Sequence, residues 1–189
     1  MHFPVFKRAF AKMLAIHPKR WYDKIGKKKR DKPLSKNSRK ECVVMGEHTA
    51  LNIAKYTIQR CNACNTPISN LQLQKILYFT WIDYYQSTGE NLFKENFFAW
   101  KLGPVVTDVY YKYHMFGART IPDEPGLTVL FDETTNKRLN NIIDKYRRLS
   151  AFDLVEKSHE PFGAWDTVYK NGEGDHSLIP FSLMKQKCR

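Results

Sequence analysis

The stretch NFFAWKLGPVVTDVYYKY, residues 96–113, is the most informative part of the chain because it combines six aromatic side chains with a Gly-Pro pair. Rings at this density are either packed in a core or offered to a partner, since large exposed apolar patches mark interaction sites. Gly103-Pro104 predicts a sharp turn that ends an extended run and opens a helix, because Pro is tolerated at the first position of a helix. The segment therefore reads as a strand or loop, a turn and a helix.

The orientation of the rings follows from the two backbone periodicities. Neighbouring side chains of an extended chain alternate faces, and we expect Phe98 to oppose Phe97 and Trp100. Tyr111 lies about 100° around a helix from Tyr110, so one of the two tends toward solvent. Core packing is the commoner fate of such rings, whereas exposed Tyr and Trp anchor protein interfaces. The candidate partner-binding residues are Trp100, Pro104, Val105, Tyr110 and Tyr111.

The clearest helix precedes this segment. Ser69 and Gln72 form a capping-box pattern, and Gly89 provides the stop. Between them, apolar residues follow the spacing of one buried helical stripe. The stripe consists of Leu73, Ile76, Leu77, Thr80, Trp81 and Tyr84. We interpret this segment as the central packing helix.

Further helices are predicted on both sides. Leu51, Ala54 and Ile58 share one apolar face, and Ser150 with Asp153 repeats the capping pattern. A third helix starts at Asp132, and a last turn or two surrounds Trp165. The run LTVLF, residues 127–131, is a candidate strand that pairs with Phe97–Leu102. The predicted fold class is mainly α, a compact orthogonal helical domain with a short two-stranded β ribbon.

The distribution of charge divides the chain of 189 residues. Residues 1–41 carry fourteen Lys and Arg and three acidic residues, a net +11, whereas residues 42–189 carry +1. We predict a basic N-terminal arm over 1–44, made of a short amphipathic helix up to Pro18 and a Lys-rich linker, and a helical domain over 45–189. Met45 is a natural beginning for a domain. The alternative that the arm is an upstream extension that is not translated therefore stays open. No apolar run is long enough for a membrane span, and we expect a cytoplasmic protein.

Residues with catalytic or metal-binding chemistry form no recognisable motif. Cys61 and Cys64 have metal-ligand spacing, but a second pair is missing, so buried or loop thiols are favoured over zinc or redox chemistry. His159, Asp166, Asp175 and His176 gather near the end without matching a known mechanism. A hydrolase using His159 is the weak alternative. We predict no enzyme activity, no metal and no cofactor.

The order of these segments resembles the Panacea domain of SocA-like antitoxins, which also occurs in phage-associated proteins. The resemblance covers about residues 47–185 and lies in TPISNLQLQKILYF, a TGE loop, FFAWKLGPVVTDVYYKY and RLNNIIDKYRRLSAFDLVEKSHE. The residues that match most specifically are Leu73, Lys75, Tyr78, Trp100, Gly103, Pro104 and Tyr110. The basic arm and the Cys61/Cys64 loop depart from the pattern.

The resemblance implies a mainly helical domain that neutralises a cognate toxin by direct protein–protein contact, without a cofactor. It also implies that some members deliver the toxin to a protease complex. The alternative, from the residues alone, is a nucleic-acid-binding regulator, because the run Lys27-Lys28-Lys29-Arg30 attracts phosphates without reading sequence. At the least, the arm predicts weak nucleic-acid contact.

Overall fold

The computed structural model describes residues 41–44, 48–123 and 127–186, and of 41–44 and 127–130 only the backbone. Residues Lys40–Arg189 form one compact unit. The predicted amphipathic helix and Lys-rich linker of the arm, with Met45, lie outside the described residues. The division at residue 44 therefore stays a prediction.

Seven helices and five strands make up the described part of the chain. The helices are α1 (Ala50–Ala63), α2 (Asn70–Thr88), α3 (Thr107–Tyr113), α4 (Glu133–Tyr146), α5 (Ala151–Ser158), α6 (Ala164–Tyr169) and α7 (Phe181–Gln186). The strands are β1 (Glu41–Val44), β2 (Phe97–Trp100), β3 (Gly103–Val105), β4 (Leu127–Leu130) and β5 (Ser177–Ile179). The predicted mainly α fold class is confirmed.

Helix α2 is the central element, as its sequence predicts. Ser69 accepts from Gln72 N–H while the Gln72 side chain accepts from Ser69 N–H, so the capping box is complete. Gly89 ends the helix in the left-handed conformation. The predicted stripe from Leu73 to Tyr84 is buried throughout. Helix α2 packs against α1, α3, α4, α5, α7 and β3 and thereby forms the axis of the core.

Polar contacts tie the outer helices to this core. Arg60 of α1 donates to both carboxylate oxygens of Asp144 in α4, at 3.1 and 2.6 Å. Arg147 donates to the same carboxylate at 2.7 Å. Two guanidinium groups favour the charged carboxylate, which lowers the pKa of Asp144 to about 2. The α1–α4 contact therefore combines apolar packing with a partly buried ionic cluster.

The strands differ from the predicted ribbon in their pairing. Strand β4 forms at LTVLF as predicted, but its partner is β1, in parallel, and the expected pairing with Phe97–Leu102 is wrong. Strand β2 instead lies between β3 and β5 in a three-stranded antiparallel sheet. β2 and β3 are close enough in sequence for a short turn at Lys101–Leu102, whereas β5 comes from more than seventy residues away.

None of the helices within the described ranges is both long and apolar enough to cross a bilayer.

Candidate protein-binding surface

Gly103-Pro104 lies in the sheet, directly after the turn at Lys101–Leu102. The expected helix start at Pro104 is wrong, because Gly103–Val105 is strand β3 and α3 begins at Thr107. Gly103 has φ +100°, a conformation that L side chains rarely adopt. A Cβ there would collide with Ser158 Oγ and lie 2.8 Å from Lys75 Nζ. The position requires Gly for both conformation and space.

Buried polar side chains of α2 hold this turn from below. Lys75 Nζ donates to Pro104 O at 2.8 Å, and Gln74 Oε1 accepts from Val106 N–H at 2.9 Å. Gln74 also donates to Asn70, whose amide donates to Tyr110 O at 3.2 Å. Unsatisfied buried backbone groups are costly, so these contacts fix the path of the chain from Pro104 to Tyr110.

Lys75 is the most unusual member of this set. Its side chain is 0% exposed, and burial lowers the pKa of its amine well below the usual range. A perturbed lysine can indicate catalysis, but this amine is enclosed by Gly103, Pro104 and Ser158. Its observed contact is a backbone carbonyl. The geometry assigns Lys75 a structural role in supporting the turn.

A stack of rings supports the other side of β2. Trp165 Nε1 donates to Trp100 O at 2.9 Å, and its ring is stacked on His159 at 3.7 Å between centroids, with 2° between planes. Burial, followed by the nearby Lys75, lowers the pKa of His159 to about 4. The imidazole is therefore neutral near pH 7.

The four residues of the hydrolase alternative take part in ring, hydrogen-bond and ion-pair contacts. His159 stacks on Trp165, and Asp166 accepts from the Phe162 N–H at 2.9 Å. His176 Nδ1 lies 3.2 Å from Asp175 Oδ2, and its ring packs on Trp100. These contacts explain the residue types structurally and lend the hydrolase hypothesis no support.

The outer side of the turn carries a continuous series of rings. Trp100 lies between His176 and Tyr110, with centroids 4.7 Å away on either side. Tyr110 contacts Tyr111 at 5.4 Å, and Tyr111 contacts His114 at 6.2 Å. We call these five residues the aromatic face. Tyr111 is 58% exposed whereas Tyr110 is half-buried, which confirms that one of the pair turns toward solvent.

Two of the five predicted partner-binding residues lie beneath this surface. Pro104 and Val105 are buried in β3, so their side chains support the turn from inside, while Trp100, Tyr110 and Tyr111 remain accessible. The expected orientation of Phe98 is right with respect to Phe97 and wrong with respect to Trp100. Residues two apart share a strand face, so Phe98 lies with Trp100 and both are half-buried, while Phe97 is fully buried on the opposite face.

Sequence reasoning missed the apolar neighbours of the aromatic face. Leu178 is directly opposite Phe98 in the β2–β5 register and is 46% exposed. Opposed residues of an antiparallel pair share a face, so Leu178 extends the surface beside Phe98. Met115 lies in the single 3-10 turn His114–Phe116 that follows α3 and is 68% exposed. The aromatic run gives no signal for Leu178, because β5 is distant in sequence.

The two cysteines at residues 61 and 64 lie at the end of α1. Cys61 is buried, and burial raises the pKa of its thiol to about 12, so the reactive thiolate is disfavoured. Cys64 is the half-buried C-cap of the helix. In the part of the chain that the structure describes, no three His, Cys, Asp or Glu residues come together as a metal site.

The fold and this surface define a small, mainly helical domain whose aromatic face is held rigidly over buried polar contacts. The family described as antitoxin SocA-like, Panacea domain, matches residues 73–166, from the central helix to Trp165 and Asp166. The protein named Antitoxin SocA of Caulobacter vibrioides is 32% identical over 133 residues, which are 65% of this chain and 70% of that protein. The chain belongs to the SocA-like Panacea family. No solved structure matches it.

Proposed function

We propose that the protein is an antitoxin that neutralises a cognate toxin by binding it through the aromatic face. Membership of the SocA-like Panacea family supports the antitoxin role. The exposed rings on a rigid turn are the observation that supports the binding surface. The contact residues are Trp100, Tyr110 and Tyr111, joined by Phe98, Met115 and Leu178, with Pro104 and Val105 as their buried support.

The surface has the properties that tight binding needs. Silencing a toxin at nanomolar concentration requires about 12 kcal/mol of binding free energy. A standard interface reaches this value with a few aromatic anchors in its centre. The hydrogen bonds from Asn70, Gln74 and Lys75 fix the backbone beneath the rings, so little ordering is needed when the toxin binds. This mechanism uses contact alone, without catalysis or a cofactor, in the cytoplasm.

The test is co-expression with the toxic product of the adjacent gene. We expect the wild-type chain to restore growth and the double substitution Trp100→Ala with Tyr111→Ala to lose rescue while circular dichroism stays unchanged. Phe152→Ala, at an exposed residue of α5, is the matched control and retains rescue. Rescue by a folded double variant refutes the placement.

Delivery to a protease is a further step that the resemblance implies. An antitoxin that only occludes its toxin leaves toxin abundance unchanged, whereas an adaptor shortens the toxin's half-life. Pulse-chase labelling of the toxin with and without this protein separates the two. We propose occlusion at the aromatic face as the primary activity, because the exposed rings explain it without a third component.

Nucleic-acid binding is the second candidate, and the net charge of +11 over residues 1–41 favours it. Binding through such an arm releases counterions, so the affinity falls steeply with salt. We expect the full chain to bind duplex DNA with a steep salt slope that disappears on deletion of residues 1–44. A shallow slope for the full chain refutes the candidate.

A further inference from the structure

The loop between α5 and α6 presents a phenylalanine to solvent. Phe162 is 91% exposed, the largest exposed fraction among the large hydrophobic residues of the described part. Transfer of such a ring from water to an apolar contact is favourable. A single exposed apolar residue is common on protein surfaces, so exposure alone assigns nothing.

The backbone of this loop is fixed in an uncommon conformation. Phe162 has φ +59°, in the left-handed region that bulky residues avoid. Its N–H donates to Asp166 Oδ2 at 2.9 Å, and Gly163 N–H donates to Glu160 O at 2.9 Å. A Cβ on Gly163 would approach Glu160 O to 2.7 Å, so the turn requires Gly. The loop holds the ring outward in a preorganised position, and backbone outliers of this kind cluster at functional sites.

A hollow lies directly beside the ring. Its volume is about 310 Å³, and Phe162 itself forms one wall. The other lining residues are Ala164 and Thr167 of α6 and Leu183 and Gln186 of α7. A cavity of about 150 Å³ accommodates benzene, so this hollow is large enough for a phenyl ring. We call Phe162 and these four residues the α6–α7 patch.

A protruding ring beside a recess that is large enough to receive a ring makes the patch self-complementary. A two-fold dimer brings the same patch of both copies together, so each ring enters the hollow of the other copy. The simplest partner that supplies a ring and a recess in matching positions is a second copy of the same patch. The five described residues that line the hollow are all uncharged, and depletion of charge is typical of the core of a protein interface.

We propose that the α6–α7 patch is a homodimer interface in which Phe162 of each chain inserts into the hollow of the other. The interface is small compared with a standard one, so its dissociation constant is on the order of micromolar. It uses α6 and α7, and none of the five residues of the aromatic face lines the hollow. The proposal therefore does not depend on the proposed antitoxin function.

Sedimentation of the full chain over a range of concentrations tests the interface. A reducing buffer and enough salt to screen the basic arm exclude disulfide and arm-mediated association. We expect the weight-average mass to rise with concentration from 22.3 kDa toward twice that value. A mass that stays at the monomer value throughout the micromolar range overturns the proposal.

Substitutions on the two sides of the contact locate it. We expect Phe162→Ser, which removes the ring, and Thr167→Arg, which fills the hollow from an exposed wall, each to raise the dissociation constant at least tenfold, as for interface anchors. Met115→Ser is the matched control at an exposed residue elsewhere, and it leaves the constant unchanged. A dimer that survives either Phe162→Ser or Thr167→Arg contradicts reciprocal insertion. Retained toxin rescue by Phe162→Ser shows that the two surfaces act independently.

Discussion

The inner and outer sides of residues 96–113 differ in burial and in the contacts that they make. On the inner side, Gly103, Pro104 and Val105 are buried over polar atoms of α2. On the outer side, Trp100 and Tyr110 are half-buried and Tyr111 projects into solvent. The comparison separates the buried residues that fix the backbone from the exposed rings that the proposed function assigns to partner binding.

The inner side is most sensitive to a charge that cannot be neutralised. Lys75 occupies a buried site that lowers its pKa and so favours the neutral amine, whereas an arginine stays protonated in proteins. We therefore expect Lys75→Arg to reduce the free energy of unfolding by about 4 kcal/mol or more. Urea denaturation near pH 7 measures the loss.

Lys75→Met is the matched control, because its unbranched side chain is one atom shorter than that of lysine and carries no charge. We expect it to be less destabilising than Lys75→Arg, since it loses one hydrogen bond to Pro104 O. If arginine is tolerated as well as methionine, the amine is not enclosed in the way described.

Adding a single methyl group on the inner side is expected to give the next largest loss of unfolding free energy. Gly103→Ala places a Cβ against Lys75 and Ser158 at a backbone angle that favours Gly, and we expect a loss of about 3 kcal/mol. Gly89→Ala has a positive φ with nothing within 4 Å, so it isolates the conformational part at about 1 kcal/mol. Equal losses at the two positions in thermal or urea unfolding would falsify the close packing of the turn.

On the outer side, we expect substitutions to weaken toxin binding and to leave the free energy of unfolding nearly unchanged. Tyr111→Ala removes an exposed ring, so the free energy of unfolding changes by less than about 0.5 kcal/mol. Toxin binding weakens by about 2 kcal/mol, roughly thirtyfold, if Tyr111 is an anchor. Calorimetric titration with the product of the adjacent gene measures the binding free energy, and urea unfolding measures the free energy of unfolding. A stability loss as large as the binding loss erases the distinction between the two sides.

The smallest expected effect concerns pH. The folded pKa of His159 is about 4 and its ordinary value is 6.5, so the folded state binds fewer protons between these values and loses stability as the pH falls through them. Allowing for partial exposure, the loss is about 2 kcal/mol between pH 7 and 4.

His159→Phe keeps a ring on Trp165 and removes the titration. We expect the variant to lack this part of the acid sensitivity in unfolding experiments at pH 7, 5.5 and 4. The same acid-induced loss in both proteins means that His159 titrates normally.

The parts of the fold that depend on neighbours in sequence were predictable. The capping boxes at Ser69/Gln72 and Ser150/Asp153 and the stop at Gly89 all form, because each depends on residues within one helical turn. The buried stripe of α2 follows from the 3.6-residue period alone.

Contacts between distant segments were not predictable from pattern. The partner of β4 depends on β1, and the burial of Pro104 depends on Lys75, which is 29 residues away. The shared face of Phe98 and Trp100 was available from the two-residue period but was assigned wrongly. Nothing in the sequence marked Phe162, because its exposure and left-handed backbone arise from Asp166 and Glu160 in the folded loop.

The most direct test measures both the toxin affinity and the free energy of unfolding of two variants, the double variant Trp100→Ala/Tyr111→Ala and Lys75→Met. The double variant is predicted to lose toxin binding at least a hundredfold while folded, and Lys75→Met is predicted to lose stability while its folded fraction binds with nearly unchanged affinity. Unchanged affinity in the double variant, with a folded chain, contradicts the central claim that the outer rings bind the toxin.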